Sequence, residues 1–487
     1  MARAGWRAGP WAISLMLVAG AAGTPRILNA AVVEGGGSGS ALGEGHLWHG
    51  GARVVLSGAT TLKDAPIPSF SRQTKLPCSA CHTTFPQLTA FGRLFKLNGY
   101  TLTGIEQIRA TLPDTLMPAT LALDVIPPVS VMAQASLTHV SEELPGTQND
   151  NVEFPDQLSL FVGEAITPKL GTFLQMTYAA PDGSFGMDNA DIRFANHTIV
   201  ADRPLIYGLT LNNNPTVQDV WNTVPAWSFP FSSSPVAPSP VAAPLIAGGL
   251  AQQVAGLGGY VFFNNLLYAE ISGYRSAPQG GPHPPDSTAV NTLSGVAPYF
   301  RVALTKQFGA QSIEVGTYGM RIHQYPLGVH TATDRYADLG FDSQYEREAG
   351  DVLVTAHGTW LREQQAFDAS LPDGTVATSP AELRTWKVDA SAFKPVWRTG
   401  ATLGYFAVSG TTDQTLYAPA SVAGSANGSP ASSGFIGEID FNPWLNTRFS
   451  AQYVLYNKFN GGTTNYDGSG RSAANNNTLY VQAWLVF

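Results

Sequence analysis

Apolar and polar side chains alternate along TRFSAQYVLYNKF, residues 447–459: Phe449, Ala451, Tyr453 and Leu455 share one parity, and Arg448, Ser450, Gln452, Tyr456 and Lys458 the other. Successive side chains of a strand point to opposite faces, so this pattern predicts one oily and one wet face. The preceding segment repeats it, with Phe435, Ile439 and Phe441 against Glu438, Asp440 and Asn442, and the short turn PWLN joins the two. Further back, Val388, Ala390 and Ala392 oppose Lys387, Asp389 and Ser391, and Ile192 and Phe194 oppose Asp191 and Arg193. About sixteen such segments, each near ten residues long, fit tilted strands that cross a bilayer.

The connections carry the second half of this expectation. Short turns fall at TPKL, FGAQ, REAG, FKPV and PWLN; long connections fall at about 141–156, 213–255, 277–297, 365–382, 411–432 and 461–476. Short turns on one rim and long loops on the other are the plan of an outer-membrane barrel, periplasmic and extracellular respectively. A secreted sandwich supplies no reason for that rhythm, and its edge strands would need protection. A closed barrel has no edge, and in lipid every backbone group must be paired. The last segment, NTLYVQAWLVF, places Leu479, Val481, Ala483, Leu485 and Phe487 on one parity, and its terminal aromatic resembles the assembly signal of such barrels.

Composition limits the rest. Charged residues are 13% of the chain, the formal net charge is -8, and the 27 Lys and Arg form no runs, which argues against a nucleic-acid partner. No stretch of eighteen apolar residues occurs, so no transmembrane helix is expected. Residues 1–30 read as a signal peptide, with Arg3 and Arg7 before the apolar WAISLMLVAGAA. Residues 31–60 read as a flexible Gly/Ser-rich leader, 61–128 as a small domain with helical character, and 129–487 as the barrel.

Both cysteines of the chain, Cys78 and Cys81, stand in CSACH with His82 directly behind them. Cys-x-x-Cys-His is the c-type haem attachment pattern, in which two thiols take up the haem vinyl groups and the imidazole becomes the proximal iron ligand. A tight disulfide, half of a zinc site and a thioredoxin-like redox pair are the competing readings. A zinc site would want further ligands at defined spacings, and a thioredoxin-like pair normally accompanies a βαβ pattern, which the chain lacks. One covalently attached haem c is the expected cofactor, and export explains the scarcity of other thiols.

After the motif, FPQLTAFGRLFKLNGY reads as one helix, with Pro86 in its first turn, Leu88, Phe91, Leu94 and Phe95 at helical spacing, and Asn98-Gly99 as its stop. Its aromatic stripe would pack on a haem face. Arg93 and Lys96 are candidates to hydrogen-bond haem propionates, the competing reading being a solvated helix face.

The run SFSRQTKLPCSACHTTFPQLTAFGRLFKLNGY at 69–100, followed by a porin-like barrel, resembles the fused outer-membrane cytochrome–porins with which iron-oxidising bacteria take electrons from extracellular Fe(II). NNPTVQDVWNTVPAW at 213–227 is similar to that family's long-loop sequence. The resemblance implies a monohaem domain in or at the mouth of a sixteen-stranded barrel. It implies Cys78 and Cys81 as thioether sites and His82 as proximal ligand. It also implies electron transfer, as an Fe(II) oxidase, from extracellular Fe(II) or another redox donor to a periplasmic c-type cytochrome or copper protein, with outer-membrane lipid around the barrel.

The sixth iron position is open to several residues. A thioether there raises the reduction potential, which suits a weakly reducing donor. Met117 and Met132 are the nearest methionines downstream, and Met132 shares the lumen parity of Ser130, Gln134 and Ser136. His46, His49 and His139 are further options. Loop 213–255, with Asp219 as its one charge, would fold over the barrel mouth as a lid or constriction, and the lumen carboxylates Asp191, Asp389, Glu438 and Asp440 would either attract cations or form ordinary lumen charge. Besides electron uptake, the sequence admits electron export to extracellular acceptors and a diffusion porin with a haem plug or sensor.

Overall fold

The computed structural model describes residues 69–74, 76–83, 86–102, 128–179, 183–278, 291–327, 331–444 and 446–487. The signal and leader expected at 1–60, and Met117, His46 and His49, lie outside them.

Three short helices come first: α1 (Ser69–Thr74), α2 (Cys78–Cys81) and α3 (Ala90–Leu97). Then come β1 (Val129–Val140), β2 (Asn151–Thr167), β3 (Leu170–Ala179), β4 (Ser184–Val200), β5 (Arg203–Asn212), β6 (Val254–Phe263), β7 (Leu267–Ser276) and β8 (Ala297–Phe308). The second half runs β9 (Gln311–Gln324), β10 (Asp334–Ala349), β11 (Val352–Ala366), β12 (Ala381–Lys394), β13 (Thr399–Gly410), β14 (Ser432–Trp444), β15 (Thr447–Lys458) and β16 (Thr478–Val486).

These sixteen antiparallel strands close into one barrel, each paired with its sequence neighbours and β16 with β1. The closing seam runs from Met132 opposite Val486 to Val140 opposite Thr478, and Phe487 exchanges both backbone hydrogen bonds with Val131. Connections on one rim are short, at 168–169, 201–202, 264–266, 309–310, 350–351, 395–398 and 445–446, and those on the other are long except 180–183 between β3 and β4, which departs from the expected alternation. Several strands exceed ten residues, so the β1–β2 loop shrinks to 141–150.

Burial runs opposite to that of a soluble protein. On β15 Arg448, Ser450 and Gln452 are buried, while Phe449 and Tyr453 are exposed. The outward face is a continuous apolar band that includes Leu257, Ile271, Leu403 and Ile439, all more than 60% exposed. An apolar surface of that extent is adapted to lipid rather than water. The polar face is buried because the lumen is filled.

Two segments fill it. The loop 213–253 folds inward, burying Val217, Val220, Trp221, Val224, Trp227, Phe229 and Phe231. The helical segment touches the wall on many sides. The Ser69 N–H donates to Ser130 Oγ of β1 (2.7 Å), Gln73 Nε2 to the Gly163 carbonyl of β2 (2.6 Å), and Gln87 Nε2 to Ser391 Oγ of β12 (3.2 Å). Tyr100 Oη donates to Asp191 Oδ2 of β4 (2.6 Å), and Tyr260 Oη of β6 donates to the Leu97 carbonyl (2.6 Å).

The helix after the motif is shorter than the spacing predicts. It begins at Ala90, where Thr89 Oγ1 accepts from the Gly92 N–H, and Pro86 lies outside it. The residues between double back so that His82 and Leu88 form an isolated β-bridge. The stop is as expected, with Asn98 as cap and Gly99 at φ +69°.

Candidate functional site

α2 is a single turn, closed by the His82 N–H donating to the Cys78 carbonyl (2.9 Å). It is held on α3 by Thr89, whose N–H donates to the Cys81 carbonyl (2.9 Å) and whose hydroxyl donates to the Ala80 carbonyl (2.6 Å). Gly92 completes the contact: a Cβ there would meet the Cys81 carbonyl oxygen at 2.1 Å. The wall accommodates the turn after α3 in the same way, since a Cβ on Gly171 would meet the Gly99 carbonyl oxygen at 2.1 Å.

Cys78, Cys81 and His82 all border one cavity with about 1200 Å³ of empty space, counting the part open to solvent. Its walls are mostly apolar: Phe70 and Phe95 from the helical segment, Phe161 and Phe173 from β2 and β3, and Trp227 from the inward loop. The rings form a connected cluster, with centroids 5.1 Å apart for Phe70–Phe95, 6.2 Å for Tyr100–Phe173 and 6.4 Å for Phe173–Trp227. Both thiols are unbridged. Burial pushes the Cys78 thiol up, and burial with the neighbouring Cys78 pushes Cys81 up to about 12, so both stand as neutral thiols.

His82 Nδ1 lies 3.3 Å from the Pro86 carbonyl oxygen. A carbonyl only accepts, so this contact suits the tautomer with its proton on Nδ1. Burial lowers this imidazole to about 4 against the raising effect of the Pro86 and Gln87 backbone, which keeps it neutral. Two vinyl-reactive thiols, a neutral imidazole oriented from behind and an aromatic-walled cavity form a donor set that fits covalent c-type haem.

The basic residues of α3 are not on a solvated face. Arg93 donates to both carboxylate oxygens of Glu346 on β10 (2.8 and 2.6 Å). Lys96 borders the cavity, donates to the Val217 and Asp219 carbonyls (2.7 and 2.8 Å) and stands 4.7 Å above the Trp227 ring. Burial and the nearby Arg193 lower it to about 7 against the opposing pull of Asp191, Asp219 and Glu270.

Met132 is fully buried and inward, as its parity predicts, and packs in the cluster that holds Phe95, Tyr100, Phe161 and Phe173. Ser130 and Val486, its strand neighbour and its cross-strand partner, border the cavity. Gln134 Nε2 lies 3.4 Å from its sulfur. His139, by contrast, is exposed at the long-loop end of β1 and pairs with Asp150 (2.6 Å). Nine residues of strand separate it from Ser130, roughly 30 Å, which removes it as an iron ligand. The four lumen carboxylates are all engaged: Asp191 by Arg193 (2.7 Å), Asp389 by His357 (2.8 Å), and Glu438 and Asp440 by Arg448.

The cavity walls Phe161, Phe173 and Trp227 were not anticipated from the sequence. For Phe161 and Phe173 the signal is an aromatic side chain on the otherwise wet parity, as where Phe173 stands in line with Gln175 and Thr177; Trp227, in a loop, carries none.

No family model matches the chain, and no curated protein matches it. Among solved structures it is similar to the anion-selective porin from Comamonas acidovorans, at 11% identity and a TM-score of 0.43, covering 74% of this chain and 98% of that one. A loop L8 deletion mutant of the outer membrane protein OmpT of Vibrio cholerae gives 12% identity and 0.41 over 74% and 98%. Salmonella typhi OmpF in complex with daunomycin gives 11% and 0.42 over 74% and 97%. The barrel assignment rests on the strand pairing described above.

Proposed function

We propose that this chain is an outer-membrane electron-transfer protein of the cytochrome–porin kind, oxidising extracellular Fe(II) by one electron and delivering that electron to a periplasmic carrier. The observation that carries this reading is the convergence of Cys78, Cys81 and His82 on one aromatic-walled cavity inside a closed barrel. Haem c bound there supplies a one-electron iron couple. Cys78 and Cys81 would hold it covalently and His82 would ligate its iron, with the Pro86 carbonyl fixing the imidazole. Phe70, Phe95, Phe161, Phe173 and Trp227 exclude water from that space, and Lys96 places its amine at its border.

The exit side supports the same reading. His82 also borders a wide mouth of about 3420 Å³ on the short-turn rim, lined by Arg203, Lys306 and Arg347 among others. A soluble carrier has access there. On the opposite side, the inward loop separates the cavity from the long-loop rim.

Two measurements test this. Haem staining of the denatured protein should persist in the wild type and vanish in C78S/C81S. Stopped-flow mixing of the oxidised protein with Fe(II) should show rapid growth of the reduced haem band. Full reduction by dithionite with none by Fe(II) would remove the Fe(II) reading. A second reading, a diffusion porin whose helical segment is a plug, is favoured by the inward-folded loop that narrows the lumen. Bilayer conductance of the intact protein separates the two, because an electron-transfer barrel with a filled lumen passes little ionic current.

A further inference from the structure

The outside of the barrel carries a second feature, at the long-loop end of β9 to β12. Outward positions there hold Arg321, His323, Arg335, Arg362 and Arg384. Arg335 stands opposite His323, and Arg362 stands directly opposite Arg384. Like charges facing each other across a strand pair, as Arg362 and Arg384 do, destabilise a sheet unless a countercharge stands between them. Glu382 bridges Arg362 and Arg384, and Asp368 lies 2.6 Å from Arg335. Arg321 makes no ion pair among the described residues. Four guanidiniums thus face two carboxylates, through exposed pairs that are weak and readily exchanged.

Arg321, His323, Arg335, Arg362 and Glu382 rim a groove with about 1140 Å³ of empty space open to the outside, whose floor is kept low by Ala337, Ala366 and Ala381, and Arg384 stands beside it on Glu382. Directly below, toward the middle of the barrel wall, lie Leu339, Phe341, Trp360 and Trp386. Phe341 and Trp360 stack with centroids 5.8 Å apart, Trp386 is 6.3 Å further on, and Leu339 and Trp386 are exposed. Guanidiniums above aromatic rings form an interface-level pattern: arginine is tolerated at the headgroup level and costly at the midplane. Several planar forks converging on one groove are matched to phosphate oxygens, which they hold by paired hydrogen bonds.

We propose that this groove binds the phosphorylated saccharide headgroup of an anionic glycolipid in the outer leaflet, with the acyl chains lying over Leu339, Trp360 and Trp386. The inference rests on the membrane placement of the barrel and makes no use of the haem.

The test titrates purified protein in uncharged detergent with bis-phosphoryl lipid A, with its dephosphorylated form and with inorganic pyrophosphate. Thermal unfolding and native mass spectrometry are the readouts. The bis-phosphoryl lipid should bind saturably, R362Q/R384Q should weaken it about tenfold or more, and R275Q, an outward arginine at the same rim outside the groove, should not. Equal binding of the dephosphorylated lipid would reduce the groove to an acyl contact and overturn the proposal. Equally tight pyrophosphate would assign it to a soluble anion and overturn the lipid. An unchanged R362Q/R384Q affinity would also overturn it. If the double variant fails the heat-shift gel test for a folded barrel, R321Q, which breaks no ion pair, takes its place. No redox step enters the readout, so its failure and that of the electron-transfer reading are separate results.

Discussion

Gly92 decides how closely α3 can lie against the attachment motif. Replacing glycine by alanine inside an ordinary helix gains about 1 kcal/mol. Here the added Cβ would meet the Cys81 carbonyl oxygen at 2.1 Å, and overpacking of that kind costs about 1–3 kcal/mol. Gly92→Ala is therefore expected to lower the guanidinium midpoint at which the haem absorbance band is lost; a raised midpoint would show that α3 does not lean on Cys81. Met132 offers a second test at this scale. Met132→Leu preserves volume and costs less than about 1.5 kcal/mol, so the barrel should fold. A methionine sulfur on haem iron raises its potential, so if Met132 supplies the sixth ligand, Met132→Leu should lower the potential in a spectroelectrochemical titration while Met117→Leu leaves it in place. The reverse result would transfer the ligand role to Met117.

At the scale of elements, the long loops are pinned by carboxylates that accept backbone N–H groups. Asp413 takes those of Ala377 and Thr378 from the β11–β12 loop and of Thr415 and Leu416 from its own, each at 2.8 Å. Desolvation pushes this carboxyl up, but the four donors together hold it below the ordinary 3.8. Because the folded value lies below the unfolded one, the stabilisation is present above about pH 4 and is lost as pH falls through the lower folded value. Asp467 serves Val422, Ser469 and Arg471 in the same way. Pepsin should therefore cut these loops slowly near pH 4 and progressively faster toward pH 2, and Asp413→Asn should be cut already at about pH 4. Equal cutting at both values in wild type and variant would show that the loops do not depend on this carboxylate.

Which elements could be read from the chain follows from the range of the forces involved. Strands such as β15 were legible because a lipid face and a wet face impose a period of two within one segment. The α3 terminus at Asn98-Gly99 was legible because the stop is local. The start was not: Pro86 suits a first turn, yet the His82–Leu88 bridge and the Thr89 cap begin the helix at Ala90. The cavity walls were beyond local reading as well. Gly163 meets Phe70 and Trp227 meets Lys96 across more than ninety residues of chain, and only the closure of the barrel brings them together.

For the whole molecule, the question is what crosses the barrel. The inward loop and the helical segment are joined to each other as well as to the wall. Lys96 donates to two loop carbonyls, the Leu88 N–H donates to Asn222 Oδ1 (3.1 Å), and Arg193 links Asp191 to the Gln218 carbonyl (3.0 Å). Arg301, on the far wall, pairs with both Asp219 of the loop (3.2 Å) and Asp342 (2.7 Å). A hydrated cation would have to break several buried contacts to pass, and each buried charge left unpaired costs several kcal/mol. An electron needs no such opening. In liposomes carrying the protein, external Fe(II) is expected to reduce cytochrome c trapped inside while a trapped Fe(II) chelator stays colourless. If the chelator colours as fast as the cytochrome is reduced, iron itself is entering, and the barrel is a porin. Reduced cytochrome beside a colourless chelator requires a barrel that passes electrons and excludes ions, as a haem held by Cys78, Cys81 and His82 between the inward loop and the helical segment would.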